Sequence, residues 1–70
     1  MISTRVVGYG PDERLAFERV LPGELVHRAR ALARVPDDGH VIATPYPLSE
    51  AAARELVEVR PGLVYFLEGG

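Results

Sequence analysis

Apolar positions recur along the chain with two periods, and each predicts a different element. Over Arg5-Val6-Val7-Gly8-Tyr9, β-branched and aromatic residues predict a short strand. Gly10-Pro11-Asp12-Glu13 predicts a turn, because proline fixes φ and glycine permits positive φ. The run Leu15 to Leu21 reads as a second strand, with Leu15 and Phe17 on one face and Ala16 and Glu18 on the other. Its alternation slips at Arg19-Val20-Leu21, which predicts a bulge or the strand's end. The four-residue connection predicts a hairpin.

The period then becomes helical. Pro22-Gly23 opens a helix, and Glu24 places negative charge in its first turn, where the helix dipole favours it. Leu25, Ala29, Leu32 and Ala33, with Val26 beside them, form an apolar stripe. His27, Arg30 and Arg34 occupy the opposite side, with Arg28 nearby. Arg34 is expected in the last turn, and Pro36 stops the helix.

Asp37-Asp38-Gly39 reads as a turn, and His40 to Thr44 as an extended, strand-like segment. Thr44-Pro45-Tyr46-Pro47 is expected to be extended or polyproline-like, since neither proline donates to a ladder, with a trans bond before Pro47. Ser49 is a good N-cap for a second helix, in which Ala52, Leu56 and Val59 line one face and Glu50 pairs with Arg54. Arg60-Pro61-Gly62 ends it. Leu63 to Leu67 is the most strand-like run and is expected to lie centrally. The pattern predicts one α+β domain over residues 1–70: a three-stranded, mostly antiparallel sheet with two helices on one face. The sheet comprises the N-terminal hairpin and the C-terminal strand, the latter beside the first.

Composition narrows the function. The chain has 70 residues, 47% of them hydrophobic and 26% charged, a globular balance. A domain of this size buries only about 60% of its unfolded surface, so a partner or a second copy would add much to its stability. A net charge of −2 argues against a dedicated nucleic-acid binder. All 8 basic residues are Arg, which reads as compositional bias across the whole chain rather than a local recognition patch. The N-terminus lacks an apolar signal-peptide core, no run approaches a membrane span, and cysteine is absent. The expected compartment is the cytoplasm.

Reactive constellations are sparse. His27 and His40 have no metal-ligand spacing, and Asp37, Asp38 and His40 are explained more simply by a turn than by a cation site. Ser49 is an N-cap, and neither Ser3 nor Ser49 sits in a nucleophile elbow. Gly8-Tyr9-Gly10 lacks the helix that a dinucleotide fingerprint requires. No cofactor and no enzymatic activity are expected. The Arg-bearing helix face suits an acidic partner or phosphates, or is a solvated face that complements the helix dipole. Tyr46, between two prolines, suits a rigid contact anchor or packs back on the sheet.

Four segments together carry a resemblance: Leu15-Ala16-Phe17-Glu18, Leu32-Ala33-Arg34-Val35-Pro36-Asp37-Asp38, Tyr46-Pro47-Leu48-Ser49 and Tyr65-Phe66-Leu67-Glu68. The chain resembles a family of small uncharacterised bacterial domains in which a Pro-Asp-Asp turn precedes a Tyr-Pro-Leu-Ser/Thr helix start. Some of these look like immunity proteins of toxin systems. It departs from that pattern in its all-Arg basic content and in Pro45. The resemblance implies a protein that binds and blocks a partner, and brings no catalytic residue. The expected function is thus a non-catalytic protein-binding module of immunity or antitoxin type, whose partner is another protein, such as a toxin, or a second copy. Its expected contacts are Arg30, Arg34, Asp37, Asp38, His40 and Tyr46, with exposed strand edges as a second route. The alternatives are a small assembly or self-associating subunit, and a nucleic-acid-associated regulator using the first helix.

Overall fold

The turn chemistry of the first hairpin sets the start of the fold. The computed structural model describes residues 4–35 and 45–69. Strand β1 spans Arg5–Tyr9 and β2 spans Leu15–Val20, paired antiparallel. Between them the Glu13 N–H donates to the Gly10 carbonyl (2.9 Å), and the Gly10 N–H donates to the Arg14 carbonyl (3.0 Å). The positive φ of the turn falls on Glu13 (63°), not on a glycine. The bulge lies at this end of the hairpin, and the slip at Arg19-Val20-Leu21 marks the other of the two expected outcomes, the strand's end, since β2 stops at Val20. Gly8 faces Phe17 while Tyr9 faces Leu15, so Ala16 is the extra residue and Leu15 takes the face of Tyr9, not of Phe17.

Helix α1 spans Gly23–Leu32, with Glu24 in its first turn and Arg30 in its last. Arg34 lies beyond it rather than in its last turn, at φ 60°. The Val35 N–H donates to the Arg30 carbonyl (2.9 Å) and the Arg34 N–H to the Ala31 carbonyl (3.1 Å). This is a Schellman cap with arginine at the left-handed position usually held by glycine. Val35 follows into the core, 7% exposed.

Tyr46–Leu48 forms a further strand, β3, so the sheet has four strands rather than three. Proline is tolerated there because β3 is an edge, where a missing N–H need not break a ladder. Helix α2 covers only Glu50–Arg54, shorter than the apolar stripe to Val59 implied. The Ser49 hydroxyl accepts from the Ala52 N–H (3.1 Å), as an N-cap should. The Glu55 and Leu56 N–H groups then bond three residues back, tightening the chain out of the helix while Leu56 and Val57 stay buried. Gly62, at φ 82°, turns the chain into β4, Val64–Glu68.

The strand order is β2-β1-β4-β3, all antiparallel, so the C-terminal strand is interior and beside β1. Val6, Gly8, Tyr65, Leu67 and Leu48 share one face by register. On that face Val6, Tyr65, Leu67 and Leu48 join Ala29 and Ala33 from the α1 segment and Ala52 and Ala53 of α2 in one core. Burying Tyr65 and Leu67 contributes about 1.5–3 kcal/mol each. On the opposite face Arg5 reaches Glu18 and Glu68, both at 3.0 Å, and ties β2, β1 and β4 together.

Candidate functional site

The two edges of this sheet are protected unequally. Strand β3 is three residues long and carries Pro47, so it is a poor template for another strand. Strand β2 is six residues long, contains no proline, glycine or lysine, and has no buried residue. Among the described residues it pairs only with β1. Leu15 and Val20, near its two ends, are 52% and 58% exposed.

Backbone alternation decides which of its groups are unpaired. The Leu21 N–H donates to the Thr4 carbonyl (2.9 Å), which continues the β1–β2 register. Phe17 and Arg19 therefore turn their backbone groups toward β1, and Glu18 and Val20 turn theirs outward.

Beside this edge, on the helix-covered face, lies a groove of about 290 Å³ lined by Phe17, Arg19, Glu58, Val59 and Arg60. Buried Tyr65 fixes its wall. The Tyr65 hydroxyl accepts from the Arg60 N–H at 2.7 Å and lies 3.4 Å from the Arg60 carbonyl as a donor. The Tyr65 ring meets Phe17 edge-on, with centroids 6.1 Å apart at 74°. The Arg60 guanidinium lies over the Phe17 ring, 5.8 Å from its centroid. Arg60 is thus held through its backbone by one aromatic ring and through its side chain by another. Neither Arg19 nor Arg60 has a carboxylate partner among the described residues. The groove offers two cations and an aromatic face beside the outward backbone groups of β2.

Of the residues expected from the sequence, Arg30, Arg34 and Tyr46 do not line this groove. Arg30 is half-buried on α1 and, with His27, Ala31 and Val35, lines a hollow of about 170 Å³. Arg34 is exposed and closes the helix through its backbone. Tyr46 is half-buried on β3 opposite Leu67 and packs against the core, the second of its two expected roles. Asp37, Asp38 and His40 lie outside the described residues. Arg28, near the cationic face, pairs with Glu55 just past α2 and joins the two helical segments. The groove residues come from β2 and from the chain after α2, far apart in sequence. The signal available beforehand was the proline- and glycine-free run Leu15 to Val20.

No family model, curated protein or solved structure matches the chain. Among the described residues no helix is long and apolar enough to cross a membrane.

Proposed function

We propose that this chain is a non-catalytic protein-binding module, of the immunity or antitoxin kind that its short motifs resemble, which holds and blocks a partner through its open sheet edge. The observation that carries this reading is the asymmetry of the edges: β3 is closed by Pro47, while β2 offers outward backbone groups between exposed Leu15 and Val20. Natural sheets guard such edges or use them. The rival use of α1 as a nucleic-acid grip is weakened because Arg28 is already engaged by Glu55 and the net charge is −2.

The test uses Val20→Pro. The Val20 N–H points away from β1, so proline there spares the existing ladder while removing a donor from the open edge. Tagged wild-type chain is expected to recover one stoichiometric protein from its own cells and to form a defined complex with that protein once purified. Val20→Pro is expected to keep the circular dichroism spectrum and to bind at least tenfold more weakly. Recovery of nucleic acid alone, or a complex that Val20→Pro leaves intact, would overturn the proposal.

A further inference from the structure

The groove beside β2 carries a chemical preference that an open edge alone does not. A strand added along β2 would hydrogen-bond to the outward groups of Glu18 and Val20. Its residues opposite Phe17 and Arg19 would then sit in non-hydrogen-bonded pairs, the closer kind, with side chains directed into the groove. There they meet Arg19 and Arg60, against the single acidic residue Glu58. The intervening residues would lie over the other face beside Glu18 and Val20, where an apolar side chain covers exposed Val20 and an acidic one meets Glu18.

We infer that the β2 edge accepts an extended acidic segment, with carboxylates at alternate positions facing Arg19 and Arg60 and apolar side chains between them. Charge complementarity selects this occupant: two cations with no carboxylate partner among the described residues line the groove, and one is pre-positioned over Phe17. A second copy fits less well. Two β2 strands centred on Glu18 bring Glu18 against its own counterpart, and a pairing centred on Arg19 does the same with arginine. The inference rests on the binding-module reading and adds the chemistry of what is bound.

The probe is a short synthetic peptide alternating valine and glutamate, with a twin carrying lysine for glutamate, titrated to millimolar concentration into the full chain and followed by amide NMR. The expected result is saturable binding of the glutamate peptide, with slowed exchange of the Glu18 and Val20 amides. Binding should be about tenfold weaker for the lysine twin and for Arg19→Glu, and should fall as salt rises. Arg19→Gln, expected to fold as wild type because Arg19 is exposed and forms no ion pair among the described residues, should lie between. Equal binding of the two peptides, no binding of either, or a footprint on α1 would overturn the acidic-strand inference. So would a dimer of the chain alone that protects the same two amides. Those outcomes leave the wider reading to the Val20→Pro test, since a partner lost with that variant but indifferent to Arg19→Glu sinks only the charge preference.

Discussion

Replacing Tyr65 with phenylalanine removes one oxygen from the site and little else. The ring of Tyr65 is buried, 2% exposed, between Gly8 and Phe17, and phenylalanine preserves that packing. What is lost is the acceptor for the Arg60 N–H at 2.7 Å and a longer contact to the Arg60 carbonyl. Arg60 is exposed, so water can replace the hydroxyl, and the cost is that of a net hydrogen bond, about 1 kcal/mol, rather than of an orphaned buried donor. For a domain of this size that lowers Tm by about 4–8 °C. Urea unfolding followed by circular dichroism should show a lower midpoint with an unchanged slope, since the surface exposed on unfolding is the same. Amide exchange at Arg60 should accelerate, while the strand amides of Val6 and Leu67 change only with global stability. Tyr65→Ala, which also removes the ring, should cost about 3–5 kcal/mol. An unchanged midpoint and an unchanged Arg60 amide in Tyr65→Phe would refute the claim that the hydroxyl anchors the groove wall. A loss as large as that of Tyr65→Ala would show that the hydroxyl holds far more than Arg60.

Other outcomes follow from the same geometry. Arg34→Gly should raise stability by about 0.5 kcal/mol, because relief of a left-handed arginine outweighs the added freedom of glycine in the unfolded chain; Arg34→Val should lower it, and denaturant midpoints read both. Gly8→Ala should lower thermal stability by about 1–2 kcal/mol, since a Cβ there would lie 3.1 Å from the Tyr65 ring and 3.3 Å from Leu63. Ser49→Ala should cost about 1 kcal/mol by removing the cap of the five-residue α2, read as a lower urea midpoint.

Where local chemistry decides an element, the sequence was informative. Gly10-Pro11 ends β1, the Ser49 hydroxyl starts α2, and the apolar run through Tyr65 and Leu67 forms an interior strand. Where tertiary context decides, it was not. Pro45-Tyr46-Pro47 looks hostile to a ladder until β4 offers it an edge partner. Two positive φ values fall on non-glycine residues, Glu13 and Arg34, where turn and cap closure outweigh the residues' own preference. The candidate groove forms only when the chain after α2 folds back beside β2, and no local pattern of residues marks that meeting.

The central claim, that the β2 edge is where this chain binds, is tested most directly by hydrogen exchange along that strand. In the chain alone, the Phe17 and Arg19 amides should exchange slowly and those of Glu18 and Val20 fast, because the former face β1 and the latter face outward. With a saturating partner, Glu18 and Val20 should become as slow as their neighbours. If they stay fast in the complex while amides of α1 or β3 become protected, the edge is not the binding surface.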